Sequence, residues 1–400
     1  MSDQALILVL NCGSSSLKFA LLNPITKLCV IDGIAESLNS DNACLRWQYQ
    51  TEKQSLPLTA DITSHNLAGQ AIIQLLDQLQ LRRLITAIGH RVVHGGQFFS
   101  ESVVITDDVI TAIKTCSSLA PLHNPANLTG IQVATEHFPQ LPQVAVFDTA
   151  FHQTMPEQAY LYALPYSLYQ EHSVRRYGFH GTSFRYVSAR ARQQFSLNAS
   201  NHGLIIAHLG NGASACAVHN GKSVDTTMGL TPLEGLVMGT RSGNIDPGLF
   251  HFLHENCGYD ISQIDALLNK RSGLLGLSQL SNDMRTLELA ADEGNTQAEL
   301  AIRVFCYQLA KQLAGLMPAL PRCDALVFTG GIGENSSRVR QQTVEHLGGL
   351  GWKLNHEFNT THGDGSNGLI NEGNSPLVGI VATNEELMIA EDVIALTANN

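Results

Sequence analysis

The first apolar run, Leu6 to Leu10, is short, unbroken and aliphatic, the pattern of a strand buried on both faces. Asn11 to Ser16 interrupt it, and a second apolar stretch runs from Leu17 to Leu22. The spacing predicts a hairpin with a polar, glycine-containing tip. The layout recurs half a chain later as Leu204 to Leu209, Gly210 to Ser214 and Ala215 to Val218, closed by the turn pair Asn220-Gly221. Two halves that each open with strand, Gly/Ser loop and strand predict a duplicated α/β domain with a cleft between the copies. Between them, Leu67, Ala71, Ile72, Leu75, Leu76 and Leu79 keep one apolar helical face after Ser64. Thr296 to Glu299 reads as a capping box opening a helix through Leu316, stopped by Pro318. Ala325 to Thr329 is a further buried strand, and Gly330 to Asn335 lead it toward a helix, Ser336 to His346, with Asn335 as its cap. A strand, a glycine loop and a helix N-terminus make an anion or nucleotide site. Asn359 to Ser375 reads as surface loop, Leu377 to Val381 as a strand, and Glu385 to Leu396 as the last helix.

Composition narrows the function classes. The chain has 400 residues, 44% hydrophobic and 15% charged, which is the make-up of a folded chain with room for two or three domains. Its 24 basic and 35 acidic residues leave a net charge of −11, so nothing draws it generally to nucleic acid or an anionic membrane. An anionic substrate therefore needs local arginine clusters. The 8 cysteines show no C-x-x-C spacing, which argues against a zinc site or disulfide framework and for buried thiols in a reducing cytoplasm. The N-terminal apolar run is too short for a signal peptide or membrane span.

Several stretches carry candidate chemistry. Gly210 to Ala215 satisfies G-x-G-x-x-A, yet a short strand and a turn follow instead of a helix. A hairpin whose backbone N–H groups line a phosphate fits better than a dinucleotide fold, with a plain turn as the other reading. No G-x-x-x-x-G-K-[ST] is present. At the first tip, Asn11, Ser14, Ser15, Ser16 and Lys18 suit phosphate and hydrated Mg2+, or simply a serine-rich turn. Arg91 and Arg241 both lie among glycines, where a guanidinium can bind carboxylate or phosphate in bidentate fashion. His180, within Arg175 to Ser183, stands out among 16 histidines by context, with Thr182 or Ser183 as caps after it. Asp148 ends an apolar strand, where open α/β sheets place functional carboxylates or where it caps a turn. Glu385, after Asn384, either reaches a metal or complements the helix dipole. Asp283 and Arg285 suit a ribose or base edge, or an ordinary helix start.

Together these residues resemble the acetate kinase family, within the acetate and sugar kinase, Hsp70 and actin superfamily. The resemblance spans essentially the whole chain: Leu8 to Phe19, Gly178 to Ser183, His208 to Gly212, Met228 to Pro247, Phe328 to Asn335 and Thr383 to Glu386 stand in the family's order. It implies duplicated ribonuclease H-like (actin-like ATPase) domains of α/β class with a nucleotide cleft between them. The expected boundaries are 1–149 plus 385–400 and 150–384. It implies reversible phosphoryl transfer from ATP to acetate, giving acetyl phosphate and ADP, with Mg2+ or Mn2+, in a cytoplasmic homodimer. Residue by residue, it implies that Asn11 and Glu385 serve the metal. Lys18, His208, Leu209, Gly210, Asn211, Gly212, Asp283, Met284, Arg285, Gly331, Ile332, Gly333, Glu334 and Asn335 would contact ATP. Arg91 would bind the substrate carboxylate, His180 and Arg241 would stabilise the transferring phosphoryl group, and Asp148 is the family's acid/base position. The acceptor's methyl pocket would comprise Val93, Leu122, Phe179 and Pro232. None of these site positions departs from the family pattern. Because acetate is already ionised at pH 7 and needs no general base, Asp148 is better read as orienting Arg91 or Arg241, or as supporting the metal. Valine at 93 narrows the pocket, so propionate is expected to be accepted less well than acetate. Rival readings are a propionate or butyrate kinase, a switching ATPase of the same superfamily, and an NAD-dependent oxidoreductase.

Overall fold

The opening hairpin pairs β1 (Leu6–Gly13) with β2 (Ser16–Leu22), and β1 runs three residues further into the polar tip than the apolar pattern indicates. In a computed structural model, which describes residues 5–13, 15–58, 64–121 and 123–398, the chain divides into two units. One comprises Met1–Phe151 with Asn384–Asn400, the other His152–Thr383.

In the first unit, β1 and β2 continue as an antiparallel meander through β3 (Cys29–Glu36), β4 (Cys44–Tyr49) and β5 (Glu52–Pro57). On the other side of β1 lie β6 (Ile85–Val92) and β8 (Gln143–Phe147), both parallel to it, and a short antiparallel edge strand, β7 (Val103–Val104). The sheet order is β5-β4-β3-β2-β1-β6-β8-β7. Strand alternation sorts the side chains. Leu6, Leu8, Leu10 and Cys12 join Leu17, Phe19 and Leu21 in a core with Ala68, Ile72 and Leu76 of the helix His65–Gln78, which Ser64 caps. The opposite face carries Val9 and Gly89, in register across β1 and β6, and is covered by the helix Glu385–Thr397. Gly89 permits this closeness, since a Cβ there would stand 2.4 Å from Ile389 Cγ2 and 2.8 Å from Val393 Cγ2.

The second unit repeats the plan. β9 (Gly203–Leu209), β10 (Ala213–His219) and β11 (Lys222–Thr226) form an antiparallel meander. β12 (Ala325–Thr329) and β13 (Leu377–Ile380) then add parallel to β9, for the order β11-β10-β9-β12-β13. The core of the first sheet, β3-β2-β1-β6-β8, has the same order and directions, so the duplication read from the strand–loop–strand pattern is real. The turn after β10 is the expected Asn220-Gly221 pair, both with positive φ. The 21-residue helix Thr296–Leu316 buries Ala298, Ile302, Phe305, Leu309, Leu313 and Leu316 along one face. Each fully buried aliphatic or phenyl side chain of this kind contributes about 1.5–3 kcal/mol relative to exposure.

Four local expectations are corrected. The helix Thr296–Leu316 is capped by Asn295, whose side chain accepts from Gln297 and Ala298 N–H, so the box beginning at Thr296 does not form the cap. Ser336, not Asn335, caps Ser337–His346, because residues Gly330–Asn335 already form a short helix. Thr182 and Ser183 lie inside the helix Gly181–Gln194, and His180 occupies the cap position. The segment 359–375 is turn-rich but not wholly peripheral, since Asn359 is buried against Arg340.

Gly89→Ala is expected to lower stability by about 1–3 kcal/mol through overpacking against Ile389 and Val393. Urea denaturation checks this; an unchanged midpoint with unchanged slope would show that the C-terminal helix does not press on β6.

Candidate active site

Sheet register assembles the polar row of the first unit. Lys18 of β2 is paired with Asn11 of β1, and Asn11 with Arg91 of β6, so three side chains from distant parts of the sequence share one face. Asp148 follows β8 directly and is 1% exposed. Its Oδ1 accepts from Arg91 Nε at 2.9 Å and its Oδ2 from Arg91 Nη2 at 2.7 Å, a bidentate pair that holds the guanidinium plane. Burial alone disfavours the Arg91 charge, but the Asp148, Glu385 and Glu386 carboxylates outweigh it and raise its pKa. Glu385 begins the C-terminal helix, which Asn384 caps by accepting from Leu387 N–H at 2.8 Å. Burial pushes the Glu385 carboxyl up to about 6; Arg91 works against that rise, and Asp148 and Glu386 add to it. Val93 follows β6 and is buried. Leu122 and Ser14 lie outside the described residues.

The second unit gathers His180, His208, Arg241 and the tip of the β9–β10 hairpin. His180 has φ +58°, an uncommon conformation for a non-glycine residue, and its Nδ1 is 2.9 Å from Ser214 Oγ. Its ring stacks on His208 at 4.4 Å. His208 Nδ1 is in turn 2.8 Å from Ser183 Oγ. A Cβ on Gly212 would sit 3.5 Å from His180 Nε2 and 3.7 Å from Arg241 Nη1, so both groups converge on the space that glycine leaves open. Arg241 donates from Nη1 to the Pro232 carbonyl at 3.1 Å and has no carboxylate partner among the described residues. Burial lowers its pKa. A half-buried guanidinium with no acid partner among the described residues is a ready acceptor of an external anion. Asn211 is fixed by Asn282 Nδ2 at 2.9 Å, and its carbonyl accepts from Gly239 N–H. Phe179 is buried and its carbonyl lies 3.0 Å from His152 Nε2, whereas Pro232 is half-buried.

The other residues expected to meet nucleotide have varied settings. Glu334 Oε1 accepts from Gly330 N–H at 2.8 Å and Thr383 N–H at 3.1 Å, so this carboxylate caps its own helix. Asn335 Nδ2 donates to the Gly331 carbonyl. Asp283 caps the helix Met284–Asp292, which holds its pKa low; Met284 is buried and Arg285 extends into solvent. Arg175 stacks 3.7 Å above the Tyr160 ring, and Arg176 pairs with Glu234 at 2.6 Å.

Two supporting devices escape sequence reading. Arg340, fully buried, donates to the Gly333 and Glu334 carbonyls and to Asn359, tying the glycine-rich turn to a segment near residue 360. Tyr162, Arg176 and Glu234 form a network below the loop that carries Pro232. Neither has a local periodicity, and Arg340 sits among polar neighbours, Arg338, Gln341 and Gln342, that give no hint of its burial.

Metal chemistry can be tested against these donors. Among the described residues, no three His, Cys, Asp or Glu side chains form a self-sufficient metal site. Glu385 and Asn11 supply hard oxygens beside Lys18 and Arg91. That set fits Mg2+, which retains several waters and is commonly held by one or two carboxylates together with substrate phosphates.

Two sheets of equal strand order, each opening with a polar-tipped hairpin, define the duplicated actin-like ATPase fold. The chain belongs to the acetokinase family, whose model matches residues 6–391. It is 54% identical to an acetate kinase of Ectopseudomonas mendocina over 98% of both chains. Among solved structures, it resembles a propionate kinase from Francisella tularensis with a TM-score of 0.93 and 47% identity, covering 98% of this chain and 100% of that one. Porphyromonas gingivalis acetate kinase follows with a TM-score of 0.90 and 42% identity, covering 98% and 99%.

The raised Glu385 pKa means that the folded, metal-free protein holds this proton more tightly than the unfolded chain does. Ionised Glu385 therefore detracts from stability in full above about pH 6, and the penalty fades as pH falls from there toward the ordinary carboxyl value of 4.5. Glu385→Gln is expected to raise the melting temperature of metal-free protein at pH 8 and to have little effect near pH 4, below the ordinary carboxyl value of 4.5. Equal effects at both pH values would show that Glu385 has an ordinary pKa.

Proposed function

We propose that this chain is an acetate kinase, transferring the γ-phosphoryl group of ATP reversibly to acetate with Mg2+ or Mn2+. The observation that carries the reading is Arg241: a half-buried cation with no acid partner among the described residues, beside His180 and the open space at Gly212, in a chain of net charge −11. The name of the 54%-identical relative specifies the acceptor.

The chemistry asks little bond-making of the protein. A carboxylate oxygen of acetate attacks the γ-phosphorus while the bond to the ADP oxygen breaks, and no proton need move. Charge on the transferring group has to be spread, and Arg241 and His180 can do that. Arg91 binds the acceptor carboxylate, and Asp148 orients Arg91 through both its oxygens. Lys18, the hairpin tip at 208–212, Asp283 to Arg285 and Gly331 to Asn335 serve the nucleotide. Glu334 does so indirectly, since its carboxylate is spent on capping. Asn11 and Glu385 would hold the metal ion, which when bound neutralises phosphate charge. Val93, Leu122, Phe179 and Pro232 bound the acceptor's methyl group. The similarity to a propionate kinase makes propionate the second acceptor to consider, and one methylene changes kcat/KM by only about 10–200-fold.

No helix among the described residues is long and apolar enough to cross a membrane. Eight free cysteines fit a reducing cytoplasm. A homodimer is supported by the helix Gly248–Cys257, which has no buried residue and exposes Leu249, Phe250 and Phe252.

ATP consumption is expected to depend on acetate, with an acyl phosphate trapped by hydroxylamine and a higher kcat/KM for acetate than for propionate. ATP loss indifferent to acetate would establish an ATPase instead. In the same assay Asp148→Asn should lose rate without losing a limb of the pH profile; a lost limb would make Asp148 a proton-transfer group. Sedimentation equilibrium should return twice the 43.3 kDa chain mass, and a monomer at micromolar concentration would refute the dimer.

A further inference from the structure

Where β6 ends, the backbone turns away from its ladder while still buried. The Val92 carbonyl accepts from Asp148 N–H at 3.0 Å, its last main-chain partner on that side. The next N–H groups are met by side chains: Val93 by Asn127 Oδ1 at 3.0 Å, His94 by Asn124 Oδ1 at 3.1 Å, and Gly95 by Thr149 Oγ1 at 3.0 Å. Asn124 returns to the same segment, donating to the His94 carbonyl at 2.9 Å. Asn127 does not. Its Nδ2 donates at 2.7 Å to the carbonyl of Cys12, the residue after Asn11 in β1.

Asn127 is 2% exposed and sits in the first turns of the helix Asn124–His137, where asparagine has no helix-forming advantage. The helix lies close against β1: a Cβ on Gly130, one turn on, would stand 3.0 Å from Cys12 Cβ. One carboxamide thus spans two strand ends, giving its oxygen to one and its N–H to the other. Buried amides of this kind are costly to leave unpaired, so the span is stiff.

We propose that Asn127 is a positioning residue for acceptor selection, setting where the Val93 side chain stands relative to the β1 tip that bears Asn11. This rests on the reading that Val93 bounds the acceptor's methyl group. Aspartate at this position keeps the shape and the oxygen facing Val93 N–H but has no N–H for Cys12, and turns a negative oxygen on that carbonyl. Serine keeps neither reach. Aspartate thus cuts the tie to β1 and serine cuts both ties, so in each case the Val93 segment is no longer fixed relative to the β1 tip and the pocket wall shifts.

The test compares kcat/KM for acetate and propionate in wild type, Asn127→Asp, Asn127→Ser, Val93→Ala, and Val93→Ala combined with each Asn127 change. Asn127→Asp and Asn127→Ser are each expected to raise the propionate-to-acetate ratio by about three- to tenfold, within the range that one methylene can contribute. In the Val93→Ala background, where the side chain being positioned is gone, the same changes should leave the ratio within twofold. A purely structural asparagine would lower melting temperature and rate for both acids alike, in both backgrounds, without moving the ratio. If Val93→Ala shifts the ratio and neither Asn127 variant does, the proposal is overturned while the pocket reading stands. If Val93→Ala itself leaves the ratio unchanged, the pocket reading fails and takes the proposal with it. Should Asn127→Asp not fold, Asn127→Ser, which puts no charge in the core, decides the question alone.

Discussion

A guanidinium gripped at Nε and Nη2 by both oxygens of one carboxylate has a single plane available to it, and the first unit is organised around that pair. Asp148 is buried and Arg91 nearly so, and neither charge could remain there alone: breaking a buried pair leaves an uncompensated ion at a cost of about 3–5 kcal/mol. The parallel arrangement of β1, β6 and β8 makes the pair possible, because their carboxyl ends finish together. The C-terminal helix then brings a further carboxylate, Glu385, to the same place, and its elevated pKa reflects how little water is left.

The second unit treats its arginine differently. Arg241 is held by a backbone carbonyl, with no carboxylate partner among the described residues, and His180 is held in a left-handed conformation at a helix start. A carbonyl fixes direction without cancelling charge. Such a guanidinium is held less tightly than Arg91 yet keeps its electrostatic demand for an anion. The difference agrees with a task divided between recognising a carboxylate and spreading the charge of a phosphoryl group.

Strand and turn chemistry made the fold legible. Unbroken aliphatic runs marked the buried strands, and the Asn220-Gly221 pair separated a hairpin from a dinucleotide-binding turn in spite of the glycine spacing at 210–215. Helix ends were displaced by one residue where two good capping residues stand side by side, as at Asn295-Thr296 and Asn335-Ser336; which one caps depends on where the preceding turn leaves the chain. Arg91, Asp148, His180 and Arg241 could be singled out because polar residues at strand ends or among glycines break the local pattern. Asn127 and Arg340 could not, since their partners lie 115 and 19 residues away and their meaning exists only after folding.

The first unit is assembled from two stretches of chain separated by the whole of the second. The face of β1 and β6 that holds Val9 and Gly89 is covered by the segment 385–397. During synthesis, then, this sheet emerges with one apolar side unprotected and stays so until more than two hundred further residues have been made. The N-terminal unit, although translated first, is the last to be completed, and its polar row acquires Glu385 only at that final docking.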